Sequence, residues 1–302
     1  MEKRSFVLSL VVLISLSFQA RADCGNHGLW LQVLGSGGPE LDDARASSGY
    51  LIWEDGRARL LVDLGSGSLL RLKQSGADIN ELDAILLSHL HVDHSNDLPA
   101  LMKAAYFTGR SQDLPLFGPS GNSLMPSTVA YVDKLFGEDG AYRYLASYLD
   151  GSDSFRLIPH DVDTNIPKLQ IVWKSRGIEL TAVTVHHGPI PALAWRVMIN
   201  DKAVVFSGDM NNEYGTLAKL ASNADLLVAH NAVPEGVNGA ARQLHMPPSE
   251  IGKIAAKAGV KQVLLSHRMK RTLGKEPQTL KVIRQSYQGV VEFADDLQCV
   301  KI

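Results

Sequence analysis

Ala84-Ile85-Leu86-Leu87-Ser88-His89-Leu90-His91-Val92-Asp93-His94 runs a short apolar segment straight into four metal-ligand side chains. The apolar part reads as a buried strand, and the polar part begins where that strand ends. Two imidazoles spaced i, i+2, followed by a carboxylate and a third imidazole, suit a borderline-soft ion such as zinc. His89 and His91 can share one ion, while Asp93 and His94 turn back to a second one close by. A polar loop that merely carries histidines would not gather them all directly after a strand.

The same ending recurs along the chain. Leu60-Leu61-Val62 ends in Asp63, Val183-Thr184-Val185 in His186-His187, and Val204-Val205-Phe206-Ser207-Gly208 in Asp209. Leu226-Leu227-Val228-Ala229 ends in His230, and Val263-Leu264-Leu265-Ser266 in His267. Six expected strands therefore each deliver a carboxylate or an imidazole at their carboxyl end. Ligand sites of α/β sheets favour that edge, so the pattern predicts one shared site.

Helical patterns fill the intervals, which gives a layered α/β class. Asp97 to Ala105 carries helical apolar spacing, and Pro248-Ser249-Glu250 opens a helix through Ile251, Ile254 and Ala255 that stops near Gly259. Residues 138–170, with Gly140, Gly151 and Pro159, read as an insertion or lid near the site. No repeat or low-complexity linker divides residues 23–302, which are expected to form a single domain.

The first 22 residues stand apart. Lys3 and Arg4 precede an almost unbroken apolar run from Phe6 to Phe18, and Ala20-Arg21-Ala22 supplies an A-x-A cleavage pattern. This is the signature of a cleavable secretory signal peptide, too short for a convincing membrane span. The protein is expected to be secreted or periplasmic, with no membrane attachment after cleavage. Arg21 and Asp23 argue against lipidation at Cys24. Losing Lys3, Arg4, Arg21 and Glu2 moves the formal charge from −2 to −4. A mildly acidic chain has no global attraction for nucleic acid. Export also places Cys24 and Cys299 in an oxidising compartment, where a disulfide joining the two ends is expected.

His89-x-His91-x-Asp93-His94, followed in order by His187, Asp209 and His267, resembles the signature of the metallo-β-lactamase superfamily. Val33-Leu34-Gly35-Ser36-Gly37-Gly38 is similar to that family's opening strand and turn. Val62-Asp63-Leu64-Gly65-Ser66-Gly67 is similar to its aspartate-glycine segment. The resemblance implies an αββα sandwich, two mixed sheets back to back with helices outside. Within the superfamily, Phe206-Ser207-Gly208-Asp209 and the His245-to-His267 stretch resemble the tRNase Z (ribonuclease Z) and phosphodiesterase branch. Arg271, and Gly109-Arg110 through Pro119, fit it as well. His230-Asn231-Ala232 departs from that branch, which has His-Glu-Ala there, and no counterpart of the long basic tRNA-gripping arm is present. Nucleic acid is accordingly not the expected substrate.

The resemblance assigns His89, His91 and His187 to a first zinc. It gives Asp93, His94 and His267 to a second, with Asp209 bridging. Gly188 after His187 selects that residue over His186, since strand neighbours face opposite ways. Two metals about 3.5–4 Å apart can hold an attacking hydroxide. Mn2+ or Fe2+ could serve in place of zinc. Asp93 and His245 are the expected catalytic residues, His245 as proton donor or as a contact to a phosphate oxygen. Asp63, His230 and Arg271 are expected to orient ligands or meet the substrate. His27 and His160 are isolated and read as non-functional.

The leading expectation is an exported dinuclear zinc hydrolase of phosphodiesters, such as nucleotides or small organic phosphates. Arylsulfatase-like sulfate-ester cleavage, lactonase and β-lactamase activity are the other chemistries of the fold, and Asp209 argues against the last. A zinc-binding or ligand-binding protein without turnover is the non-enzymatic alternative. The family's habit also implies a homodimer.

Overall fold

The computed structural model describes residues 24–302. The expected signal peptide lies outside the described residues. Among them, no helix is long and apolar enough to cross a membrane.

The first half of the chain supplies β1 (Leu29–Gly35), β2 (Gly49–Glu54), β3 (Arg57–Leu64), β4 (Ala84–Leu86), β5 (Leu114–Pro119) and β6 (Leu157–Val162). The second half supplies β7 (Gln170–Ser175), β8 (Ile178–His187), β9 (Ile190–Ile199), β10 (Lys202–Phe206), β11 (Leu226–His230), β12 (Gln262–Ser266) and β13 (Val290–Phe293). β14 (Cys299–Lys301) closes the chain. Two seven-stranded sheets result, ordered β14-β1-β2-β3-β4-β5-β6 and β13-β12-β11-β10-β9-β8-β7. Each is antiparallel on one side and parallel on the other, the change of direction falling at β3 and at β10.

Strand alternation builds the layers. On β3, Leu60 and Val62 face the second sheet, where Leu180, Trp195, Val204, Phe206, Val228 and Leu264 meet them. Leu61 and Leu64 face the other way, under helices Ser68–Ser75, Leu98–Ala105 and Thr128–Phe136. The outer face of the second sheet is covered by helices Leu217–Leu220, Pro248–Ala258 and Glu276–Ile283. Side chains of period 2 serving two apolar layers explain why the strands read as continuous apolar runs. The architecture is the expected αββα sandwich.

Both expected helices are present. Pro248 begins the second at a position where its missing N–H costs nothing, and Gly259 ends it in the left-handed conformation. Residues 138–170 are not a lid. Leu145, Tyr148 and Phe155 are buried in the first sheet's outer core, and Leu157–Val162 is edge strand β6, parallel to β5. The weak reading reflects an edge strand interrupted by Pro159, without the apolar alternation of a central one. Cys24 and Cys299 are joined in a disulfide, with Cys299 paired to Gln32 across the β1–β14 ladder.

Candidate metal centre

The carboxyl ends of β3, β4, β8, β10, β11 and β12 bring the polar residues together. Parallel neighbours end at the same edge, so Asp63 at the end of β3 meets the loop after β4. Asp63 Oδ1 accepts from the Ser88 backbone N–H at 2.7 Å, and Oδ2 accepts from Ser88 Oγ at 2.8 Å. The same Oδ2 lies 2.8 Å from His94 Nδ1. His91 stands just before a one-turn helix, Val92–Ser95, which carries Asp93 and His94 back toward the centre. That turn needs room. A Cβ on Gly65 would lie 2.1 Å from the Asp93 carbonyl oxygen, and one on Gly38 would lie 2.8 Å from the His267 ring.

Two groups of ligand atoms form. His89 Nε2 lies 3.0 Å from His91 Nδ1, and His187 Nε2 lies 3.4 Å from the same atom. Burial pushes all three imidazoles down in pKa. Their lone pairs therefore converge without an acid among them, the arrangement a cation resolves. In the second group, Asp93 Oδ2 is 3.2 Å from His267 Nε2 and 3.6 Å from His94 Nε2. Asp209 Oδ2 faces both groups, at 3.4 Å from His267 Nε2, 3.7 Å from His94 Nε2 and 3.8 Å from His187 Nε2. His94 Nε2 is buried with no hydrogen-bond partner among the described residues.

Charge separates the groups. Burial alone would lower His94 and His267, yet Asp63 beside His94 and Asp209 beside His267 raise both. Burial alone would raise Asp93, but the His267 hydrogen bond and the His94 charge bring it down to about 2. Asp209 is held low in the same way by His267 and His245. A divalent ion can displace the protons that these imidazoles otherwise keep. The donor set of imidazoles and carboxylates, with Asp209 Oδ2 between the groups, fits two such ions.

The remaining predicted residues fall into place around this core. His230 Nδ1 lies 2.8 Å from Asp209 Oδ1, and a ligand atom of His230 falls within 4.8 Å of those of His94, Asp209 and His267, so the second oxygen of that carboxylate is engaged by a ring at the edge of the second group. His245 follows helix Ala240–Leu244, with Nδ1 3.8 Å from Asp209 Oδ1 and without a hydrogen-bond partner among the described residues. Burial pushes this imidazole down to about 3. It is uncharged at neutral pH, which suits a contact to a substrate oxygen better than a pre-charged acid. Arg271 Nε donates to the Ala232 carbonyl at 2.6 Å, and its charge is felt at His245. His186 points away, against Glu213 and the Tyr214 ring. His160 stacks on Phe117 and is not part of either ligand group.

The sequence did not show three contributors. Ser88 Oγ lies 3.1 Å from His89 Nδ1 and so relays Asp63 to a second ligand. The Leu244 carbonyl lies 3.0 Å from His187 Nδ1, and the Tyr50 hydroxyl lies 3.1 Å from His230 Nε2. A serine at the residue before the first histidine was available as a signal; a backbone carbonyl leaves none.

Residues 58–268 match the family model described as the Beta-lactamase superfamily domain. The chain belongs to the metallo-β-lactamase superfamily. It is a tRNase Z-like, metal-dependent hydrolase. The protein named Ribonuclease Z of Mycobacterium sp. (strain KMS) is 30% identical over 282 residues, covering 89% of this chain and 95% of that protein. The metallo-beta-lactamase fold protein YhfI of Bacillus subtilis superposes with a TM-score of 0.70 at 24% identity, over 90% of this chain and 98% of its own. The short form of human tRNase Z gives a TM-score of 0.69 at 18% identity, over 90% and 99%. Divalent metal binding by the buried His/Asp cluster is in keeping with this superfamily membership.

Proposed function

We propose that the chain, as one domain from residue 23 onward, is an exported dinuclear zinc hydrolase of phosphodiester bonds. The observation that carries this reading is Asp209 Oδ2, placed within 3.8 Å of His94, His187 and His267. His89, His91 and His187 would hold one ion, and Asp93, His94 and His267 the other, with Asp209 shared. When bound, such ions supply Lewis-acid neutralisation of the phosphoryl charge and hydroxide near neutral pH.

The chain's own groups do the rest. Asp63 and Ser88 fix the rings of His89 and His94, and the Leu244 carbonyl fixes His187, so the ligands meet the substrate without rearranging. His245 offers an N–H to a phosphate oxygen beside the reacting bond. Arg271 adds a positive charge on the same side, anchored through the Ala232 carbonyl. The signal-like first 22 residues and the Cys24–Cys299 disulfide support export to the periplasm or beyond.

The acidic composition argues for a small phosphodiester over nucleic acid, but relatives carrying the name Ribonuclease Z bring an RNA phosphodiester back among the substrates. The test is hydrolysis of bis(p-nitrophenyl) phosphate and of a short RNA, before and after chelation and zinc add-back, with Asp209→Ala alongside. p-Nitrophenyl sulfate and a chromogenic cephalosporin run in parallel. Zinc-restored diester turnover, lost in the variant, supports the reading. A metal-loaded protein that cleaves only the sulfate ester or the lactam, or none of these, overturns it.

A further inference from the structure

Tyr50 sits in β2 of the first sheet, fully buried between the sheets and tilted against Phe206 with ring centroids 5.4 Å apart. Its hydroxyl lies 3.1 Å from His230 Nε2 and 2.8 Å from Ser266 Oγ, both at the carboxyl edge of the second sheet. His230 Nδ1 lies 2.8 Å from Asp209 Oδ1, and Ser266 immediately precedes His267. A chain of hydrogen-bonding groups therefore runs from the inter-sheet core to the carboxylate that faces both ligand groups.

The donor and acceptor inventory constrains this chain. A carboxylate oxygen only accepts, so His230 must present Nδ1–H to Asp209. In the neutral ring with that tautomer, Nε2 carries a lone pair, and the Tyr50 hydroxyl is the group beside it. With the one phenolic proton directed at Nε2, Ser266 Oγ, itself a hydroxyl, gives the remaining bond to the Tyr50 oxygen. Remove the Tyr50 oxygen and His230 Nε2 is left buried beside a hydrocarbon. A tautomer change would then free Nε2 from needing a donor, but would withdraw the N–H from Asp209 Oδ1.

We propose that Tyr50 is a positioning residue for the metal centre. It sets the tautomer and orientation of His230, which engages Asp209 Oδ1 and reserves Oδ2 for the ions. The second group depends on it most, because both of its imidazoles, His94 and His267, lie within 3.7 Å of Asp209 Oδ2, whereas in the first group His187 alone approaches it, at 3.8 Å. This inference rests on the dinuclear metal reading.

The experiment uses the full protein and titrates Zn2+ against a chromogenic chelator, for wild type and Tyr50→Phe. Wild type is expected to take two ions. Tyr50→Phe should keep one at wild-type affinity and bind the other about 10–100-fold more weakly, the usual cost of losing a supporting contact behind a ligand. A second variant, His230→Asn, keeps a short amide donor toward Asp209 but cannot reach Tyr50. Adding Tyr50→Phe to it should cause no further loss. Nitrogen-15 imidazole spectra of the metal-free protein supply a separate readout: His230 should be the Nδ1–H tautomer in wild type and a mixture in Tyr50→Phe. Two tight ions and an unchanged His230 spectrum in Tyr50→Phe would overturn the proposal, as would a full additional loss in the His230→Asn background. Failure of wild type to take up any ion would instead bring down the metal reading beneath it.

Discussion

Asp63 Oδ2 lies 2.8 Å from His94 Nδ1, across 31 residues of sequence. The same carboxylate holds Ser88 twice, and Ser88 Oγ lies 3.1 Å from His89 Nδ1. One strand-end aspartate thereby orients a ligand in each of the two groups. Such an arrangement fixes which ring nitrogen faces the ion and raises the basicity of the ligating one.

Asp63→Asn should therefore weaken binding of both ions, each by about 10–100-fold. An amide keeps the shape but offers only one accepting oxygen where two are used. Chelator competition measures the loss. Weakening of only the ion at His94 would show that Ser88 does not relay to His89.

His186 and His187 separate cleanly. His187 Nε2 approaches Asp209 Oδ2 at 3.8 Å, while His186 turns toward Glu213. His187→Ala should lose one of two ions and with it diester turnover. His186→Ala should change stability by no more than about 0.5 kcal/mol and leave metal content intact. Metal analysis and turnover of the two variants side by side decide it; equal damage from both would place His186 in the site.

Removing the ions should destabilise the fold measurably. Without them, His94 and His267 hold protons against Asp63, Asp93 and Asp209, and three neutral imidazole nitrogens face one another. Binding to the folded state alone adds about 4 kcal/mol when free metal is a thousand times its Kd. A melting curve with excess chelator should fall well below one with zinc, and zinc add-back should restore it. Coincident curves would mean that the cluster binds no ion tightly.

What the sequence displayed follows from strand physics. An apolar run that serves two packed layers must end before it can carry Asp63, His89, Asp209 or His267, so these residues stand out against their own neighbours. Order along the chain then matched a known arrangement. Tyr50 and Ser88 were hidden because one sits in an apolar strand as an ordinary core aromatic and the other looks like a strand end. Leu244 acts through its carbonyl, which any residue possesses. The stretch 138–170 buries Leu145 and Tyr148 from short helical turns, where neither period 2 nor period 3.6 is sustained.

The disulfide and the metal centre should be separable. Cys24 and Cys299 close a loop across 275 residues, and removing such a native disulfide costs roughly 2–5 kcal/mol. The C-terminal turn is nevertheless tied to the site side of the sheet by other means. Asp296 accepts from the Ser36 N–H and hydroxyl, from the Ala46 N–H and from Arg71 Nε, independently of either cysteine. The Ser36 carbonyl in turn accepts from the Arg268 N–H, next to His267. Cys24→Ser with Cys299→Ser should therefore lower Tm by several degrees while zinc stoichiometry and diester turnover stay at the wild-type level. Differential scanning calorimetry and metal analysis of the same sample check both halves. Loss of the second ion together with the disulfide would mean that the Asp296 ties cannot hold the Ser36–Arg268 connection on their own.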